Sequence, residues 1–323
     1  MPFVSQIKLQ NGASGQEHSG ISSVVYEGEL FVFYHGAGND GIYLTRTTNG
    51  KDWTVTQNLV NSIDHMGVEK ETSPSAVVFN NKIYLFYTGA GGDGAYYSTY
   101  NGSSWSSLTS VRAKIPNGMG MAYGSSVYPT VIKGKLYIYW SGSGNDGIFY
   151  SSTDGGDWAG AKAMNDNVHR GGIGLYKGSS PTATSYDIPT ADVSGELIYY
   201  NGAGGNGIYQ VRNADDEWTV RNLANDIKGI HWRSSVDYTA NPIAILSADK
   251  SKKQLFWSGA DQGIWYSDSK VLKNEWKDAT PLRNDVGTMG VRSGCGPSVV
   301  IFKDATYIFW VGAGDYHIYY THN

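Results

Sequence analysis

Six aromatic residues occupy one repeated position in this chain, each two residues before a glycine that opens a short turn. The rings belong to Tyr34, Tyr87, Trp140, Tyr200, Trp257 and Trp310. A flat ring at the edge of a groove can stack on the apolar C–H face of a sugar, and small-ligand pockets combine aromatic walls with a few placed polar groups. We therefore take these rings as candidate walls of ligand sites. Packing inside the fold is the competing interpretation.

Polar side chains recur close to the same glycines. Three of the turns carry an aspartate, at Asp40, Asp93 and Asp146. The segments between repeats supply further candidates, namely Glu69, Tyr123, Tyr176, Trp232, Arg233 and Arg292. Repetition in such loops indicates either a turn requirement or a ligand requirement, and the glycine turns alone favour the first.

Other chemistry fits these residues poorly. The turn GAGNDG at 36–41 matches the dinucleotide fingerprint, but that fingerprint needs a helix after the turn, and here a strand follows. One aspartate per turn supplies too few of the six to eight oxygens that calcium requires. The single cysteine, Cys295, has no internal disulfide partner and no His and Asn context for a nucleophile. We predict no cofactor and no metal.

The glycines Gly36, Gly89, Gly142, Gly202, Gly259 and Gly312 are 53, 53, 60, 57 and 53 residues apart. A period in this range is typical of stacked or radially arranged units. Each unit contains four strand signals, as in 73–79, 82–89, 95–100 and the strand from Trp105, separated by Gly, Asn and Asp turns. Each unit is therefore predicted to be a four-stranded antiparallel meander.

The two ends of the chain complete one another. Only 11 residues follow Gly312, so the last unit lacks its fourth strand. The segment FVSQIKLQNG near the N-terminus matches WTVTQNLVNS after the first unit, which puts Phe3 at the position of Trp53. We predict an all-β, six-bladed β-propeller in a single domain, residues 1–323, in which strand 3–9 completes the blade at 297–323. Such closure removes exposed sheet edges, whereas a linear solenoid would need atypical capping repeats.

Charge and hydropathy exclude some partners. The net charge is −4, and Lys and Arg are scattered, so no basic footprint for nucleic acid is present. No apolar run is long enough to span a membrane, and the N-terminus does not resemble a signal peptide. We expect a soluble protein, either cytoplasmic or exported by a non-classical route.

The phrases WSGSGNDGIFYSSTDGGDW at 140–158 and WSGADQGIWYSDS at 257–269, with the split closing blade, resemble the PLL-like bacterial propeller lectins. More distantly, the chain resembles the six-bladed Aleuria-type fucose lectins. The PLL-like proteins have seven blades, and we count six. The resemblance implies a non-enzymatic lectin with shallow sites between adjacent blades, for fucose or methylated sugars. Glycans or glycoconjugates, for example on a cell surface, are then the expected partners.

Two other function classes remain open. A sialidase-like glycosidase would need paired carboxylates and an arginine cluster, and an asymmetric site of this kind would lie near Asp187, Asp192, Glu196 or Asp237. A protein-binding scaffold is the third class. Near-identical loops favour one small ligand bound several times, which raises avidity by about 10² to 10⁴ without new contacts. We expect the sites to be unequal, because Asn206 replaces the turn aspartate and the fifth turn is one residue short.

Overall fold

A computed structural model gives the structure of the protein. It describes residues 2–38, 40–91, 94–143, 147–164, 173–188, 193–214, 217–230, 236–271, 273 and 275–323. These residues form six four-stranded antiparallel sheets, each a meander of consecutive strands apart from the one closed by the N-terminus. The first strands of neighbouring sheets lie side by side, from the first sheet around to the sixth and back. The prediction of a six-bladed propeller is confirmed.

The first three blades follow the repeat closely. Blade 1 contains β2 (Ile21–Tyr26), β3 (Glu29–His35), β4 (Ile42–Thr47) and β5 (Gln57–Asn58). Blade 2 contains β6 (Ser75–Phe79), β7 (Lys82–Thr88), β8 (Ala95–Tyr100) and β9 (Thr109–Ser110). Blade 3 contains β10 (Tyr128–Ile132), β11 (Lys135–Ser141), β12 (Ile148–Thr153) and β13 (Lys162–Ala163). The strands are rich in aromatic and β-branched residues, and the turn between β6 and β7 places Asn80 and Asn81 at φ 48° and 54°, as a tight hairpin requires.

Among the last three blades, blade 4 has the longer strands. Blade 4 contains β14 (Thr182–Ile188), β15 (Val193–Asn201), β16 (Ile208–Ala214) and β17 (Glu217–Asn222). Blade 5 contains β18 (Ile243–Leu246), β19 (Lys252–Ser258), β20 (Ile264–Lys270) and β21 (Thr280–Pro281). Blade 6 contains β22 (Ser298–Phe302), β23 (Ala305–Val311), β24 (Ile318–His322) and, as its outermost strand, β1 (Ile7–Lys8).

The N-terminal strand closes the ring as predicted. Strand β1 pairs antiparallel with β24. Backbone hydrogen bonds from Val4 N to His322 O (2.9 Å) and from Leu9 N to Ile318 O (2.8 Å) extend the pairing on both sides. Phe3 and Leu9 are buried, and the Phe3 ring meets Tyr266 of blade 5 edge to face at 6.2 Å. Phe3 therefore occupies the position in blade 6 that the outer-strand tryptophans occupy in other blades, as predicted.

Helical structure is limited to short turns. In the described part of the chain these are α1 (Val111–Lys114), α2 (Arg283–Val286) and two 3₁₀ turns at Leu59–Asn61 and Leu223–Asn225. Each follows the outermost strand of its blade. None of the described helices is long and apolar enough to cross a membrane.

Aromatic contacts join neighbouring blades. Trp105 packs edge to face on Phe33 (6.0 Å between ring centroids) and Trp158 on Phe86 (6.4 Å). Trp53 closes the ring in the same way against Phe309 at 5.8 Å. Edge-to-face pairs are favourable beyond the area they bury. The repeated outer-strand tryptophan is thus a packing residue between blades.

Candidate functional site

The glycine turns and the linkers between blades meet on one face of the ring. Each linker pairs with the turn of the blade it enters, through isolated bridges such as Gly15–Gly36, Val68–Gly89 and Val291–Gly312. One linker residue per blade then donates its backbone N–H to the last residue of the second strand, over 2.8–2.9 Å; these are Gln16, Glu69, Ala122, Tyr176, Asp237 and Arg292. Six different side chains therefore stand at one structural position, so the blades differ from one another there.

The six candidate wall rings lie in the core. Tyr34, Tyr87, Trp140, Tyr200, Trp257 and Trp310 are each no more than 2% exposed. Strand residues alternate between the two faces of a sheet, and both faces of these second strands are covered by neighbouring blades. This burial favours the competing interpretation, packing inside the fold, although Tyr34 also lines a cavity on the linker face.

A second ring covers the buried ring in blades 1, 2, 3, 4 and 6. The first aromatic of the third strand stacks on it, as in Tyr34–Tyr43 (5.7 Å), Trp140–Phe149 (6.2 Å) and Trp310–Tyr319 (6.1 Å). These outer rings are half-buried and reach the surface. Sequence reasoning missed them, although the doublets IY, YY, FY and WY after each turn were visible.

The turn aspartate accepts a hydrogen bond from that outer ring. Tyr43 donates its hydroxyl proton to Asp40 at 2.6 Å, Tyr319 to Asp315 at 2.8 Å, and the Trp265 indole N–H to Asp261 at 3.0 Å. The hydrogen bond to the Asp40 carboxylate raises the pKa of Tyr43. Asp93 and Asp146 lie outside the described residues. Repetition of the aspartate thus has a turn-forming cause, although Asp40 also lines a cavity of about 170 Å³ with Ser14, Tyr43 and Thr56.

Substitution of Gly312 by Ala is expected to destabilise the protein by about 1–3 kcal/mol, because overpacking at this turn would push the ring off the aspartate. A Cβ there would lie 2.6 Å from Tyr319 Cε2 and 2.8 Å from Asp315 Oδ1. Gly314→Ala in the same turn is the matched control, since a Cβ at Gly314 meets nothing within 4 Å. Chemical denaturation measures both variants. Equal stabilities would contradict the packing explanation of the repeated glycine.

Glu69 and Tyr123 join two neighbouring linkers. Glu69 is only 7% exposed; its Oε2 accepts from Gly91 N at 2.6 Å and its Oε1 from the Tyr123 hydroxyl at 3.1 Å. The hydrogen bond to Glu69 raises the pKa of Tyr123. Tyr123 itself is 76% exposed, so a flat ring is held in a fixed orientation at the surface.

Arg292 joins blade 6 to blade 1. Its guanidinium donates to Glu17 Oε1 at 2.7 Å, to the Tyr316 hydroxyl at 2.6 Å and to Ala313 O at 3.0 Å, and it lies over the Tyr316 ring. The planar, charged group is therefore held by its partners on several sides. Arg292 lies on the linker face, but most of its guanidinium donors bind acceptors within the protein.

Tyr176 and Tyr238 form the third inter-linker contact, with stacked rings at 5.6 Å. Beside them lies a cavity of about 270 Å³ between blades 5 and 6, which Asp237, Thr239, Gln262, Arg292 and Ser293 also line. Asp237 accepts from Gly294 N at 2.7 Å and from Ser293 Oγ at 3.1 Å. Aromatic walls and converging polar groups are the composition of a small-ligand site.

Tyr238 was missed from the sequence. It stands one residue after Asp237, as Tyr123 stands one after Ala122, so aligning the linkers on the strand that follows them would have found it. Trp232 and Arg233, which were predicted for this linker, lie outside the described residues.

Four carboxylates were suggested for a catalytic site. Those that the structure describes have other roles. Glu196 is 5% exposed and accepts from the Tyr139 hydroxyl and from Asn213 Nδ2 (3.1 Å), and desolvation raises its pKa. Asp237 binds the next linker, as above. The Asp187 side chain and Asp192 lie outside the described part. Cys295 is fully buried, and desolvation raises its pKa to about 12, so it is not a nucleophile in this state.

Several solved structures share this architecture. AofleA from Arthrobotrys oligospora aligns with a TM-score of 0.67 at 12% identity, over 95% of this chain and 84% of that chain. The fucose-specific lectin from Aleuria aurantia aligns with a TM-score of 0.62 at 13% identity, over 94% and 91%. The Hadza microbial sialidase Hz136 aligns with a TM-score of 0.58 at 14% identity, over 94% and 64%.

The chain shares its fold with these proteins. The likeness to the Aleuria lectin confirms, for the fold, the resemblance noted from the sequence. No protein-family model matches the chain, and no curated protein matches it.

Proposed function

We propose that this protein is a multivalent carbohydrate-binding lectin, with shallow sites between adjacent blades on the linker face and with fucose or a related or methylated sugar as ligand. The observation that carries the proposal is the cavity between blades 5 and 6. Its volume of about 270 Å³ lies near the lower end for small-ligand pockets, which suits a single sugar ring. The fucose-specific lectin with the same fold supports the choice of sugar.

The cavity offers each element that sugar binding requires. The stacked Tyr176 and Tyr238 rings provide an apolar wall for the C–H face of the sugar. The Gln262 amide provides donors and an acceptor for sugar hydroxyls. Both Asp237 oxygens already accept from Thr239, Ser293 and Gly294, so this carboxylate shapes the cavity wall. Several lining groups are already fixed by hydrogen bonds to the neighbouring linker, so little ordering entropy is lost on binding.

The exposed Tyr123 is the candidate platform at the boundary of blades 2 and 3. Its orientation is set by the buried Glu69, so the ring can stack on a sugar without first losing its own freedom. The equivalent linker residue differs in every blade. Sites of this kind are therefore unequal in affinity, and weak single sites combine through avidity.

A glycosidase finds less support in the described residues. Arginines pair with carboxylates in separate blades rather than converging, as Arg46 does with Glu29 (3.3 Å), Arg283 with Asp261 (2.9 Å) and Arg292 with Glu17 (2.7 Å). Recognition of a sugar carboxylate would need free guanidinium groups at one place. We propose a non-enzymatic role, with glycans or glycoconjugates as partners.

A glycan array with the labelled protein tests the function. We expect binding that free L-fucose or its methyl glycoside abolishes. A blank array, together with release of a sugar from a reporter glycoside, would replace the lectin by an enzyme.

Tyr238→Ala is expected to weaken binding of the competing sugar at the blade 5–6 cavity by about tenfold or more, because aromatic stacking of this kind contributes over 1 kcal/mol. Isothermal titration calorimetry measures the loss. Tyr100→Ala is the matched control, since Tyr100 packs on Tyr26 and Trp105 in blades 1 and 2, far from the cavity. Equal titrations for wild type and Tyr238→Ala would contradict sugar binding at this cavity. They would not change the result of the glycan array, which tests the lectin function separately.

A further inference from the structure

Four side chains form a hydrogen-bonded series around the centre of the propeller. Ser73 Oγ accepts from Gly20 N at 2.6 Å, Ser126 Oγ from Ser73 N at 2.8 Å, and Ser180 Oγ from Ser126 N at 2.7 Å. Asn241 Oδ1 continues it by accepting from Ser180 N at 2.8 Å. These residues stand at equivalent positions just before the first strands of blades 2 to 5. We call them the axial ring.

The axial ring satisfies backbone donors at the inner edge of the blades. A first strand has no sheet partner on its inner side, so its N–H groups need acceptors from elsewhere. The side chain of the next blade supplies one at each of four boundaries. This explains why the residues accept hydrogen bonds, but it leaves their own donors unexplained.

Each member of the axial ring has a donor left over. A serine hydroxyl donates one proton, and an asparagine amide donates two. Within the described part of the chain, no acceptor receives the Ser73, Ser126 or Ser180 hydroxyl proton or the Asn241 Nδ2 protons. Ser126 and Ser180 are 6% and 3% exposed, and buried donors of this kind require a partner.

The donors face a common cavity. All four residues line a space of about 90 Å³, together with residues from the first strands of all six blades. That volume holds a few water molecules or one small ion. The corresponding positions in blades 6 and 1 are Gly296 and Gly20. A Cβ at Gly296 would lie 2.6 Å from Asn241 O, so no further donor side chain fits there.

We propose that the axial ring binds one small monovalent anion, a halide or a carboxylate, through hydroxyl and amide donors. A monovalent anion accepts hydrogen bonds from several of these donors at once, whereas one water molecule accepts at most two. Glu71 lines the same cavity, but it is exposed, and solvent screens its charge. The anion would tie together the inner edges of blades 2 to 5. The axial cavity shares Thr239 with the cavity between blades 5 and 6, but none of the four axial donors lines that sugar site.

Crystals grown in sodium bromide test the site directly. We expect an anomalous bromide peak at hydrogen-bonding distance from Ser126 Oγ and Ser180 Oγ. Acetate density at the same place would assign a carboxylate instead. Water with no anomalous signal and no acetate density would overturn the proposal.

Thermal unfolding at constant ionic strength gives an independent test. Bromide or acetate is expected to raise the unfolding temperature saturably relative to the bulky sulfonate MES, since a ligand that binds only the folded state stabilises it. Asn241→Asp keeps the acceptor for Ser180 N but replaces the amide donors by a negative charge, so it should weaken anion binding by about tenfold or more.

Asn101→Asp is the matched control for that variant. Asn101 Oδ1 accepts from Ser103 N and Ser104 N in an exposed turn away from the axis, and the change in charge is the same. Asn101→Asp should respond to bromide like the wild type. Equal shifts of the unfolding temperature by bromide in the two variants would refute the axial site independently of the crystal result.

Discussion

Deletion of residues 2–9 is expected to leave a protein that cannot maintain its fold at 37 °C. The deletion removes β1 and its pairing with β24, and it leaves that strand as an open edge. It also removes the buried Phe3 and Leu9 side chains. Loss of one buried Phe or Leu costs about 2–5 kcal/mol, so losing both approaches the whole stability of a typical domain, about 5–15 kcal/mol.

Circular dichroism and size-exclusion chromatography measure this loss. A synthetic peptide of residues 2–12 added in trans should restore the fold, because it can pair with β24 again. Ile7→Ser is the matched control within the strand, since Ile7 is 37% exposed and faces solvent. A truncated protein that unfolds at the wild-type temperature would contradict the closure.

Trp140→Ala is expected to destabilise the protein by about 3–5 kcal/mol, as a large aromatic truncation in a core does. The Trp140 ring is fully buried, stacks on Phe149 at 6.2 Å, and donates its indole N–H to Gly120 O at 2.9 Å. The cost combines a cavity with the loss of the indole hydrogen bond. Denaturant titration measures the change in the free energy of unfolding.

The same variant decides between packing and ligand binding at this position. Trp140→Phe keeps most of the ring and should lose less stability than Trp140→Ala. Both variants should bind sugar like the wild type under conditions where they are folded. Normal stability combined with lost sugar binding would reinstate the original interpretation of the six rings as ligand walls.

The fold was accessible from the sequence because its determinants are local and repeated. The spacing of the motif glycines gives the six blades, and the match of Phe3 with Trp53 gives the closure. Each depends on a residue pattern that recurs in register. The side on which a ring lies depends instead on packing between blades, which no single repeat encodes.

The candidate site could be predicted from the sequence only in part. Tyr123, Tyr176, Glu69 and Arg292 do lie on the linker face, as the linker repeat indicated. The contacts between neighbouring linkers cross blade boundaries and join residues 54 or more positions apart, as with Glu69 and Tyr123. Tyr238 escaped notice because its partner, Tyr176, belongs to another blade. Contacts of this kind follow from the geometry of the ring.

A crystal structure of the protein soaked with methyl α-L-fucoside tests the central claim most directly. We expect sugar density in the cavity between blades 5 and 6, with the sugar ring against Tyr238 and hydroxyls on Gln262. We expect no sugar on the other buried rings, which are Tyr87, Trp140, Tyr200, Trp257 and Trp310. Sugar bound only on the opposite face, or no sugar at a concentration that saturates the array competition, would contradict this claim.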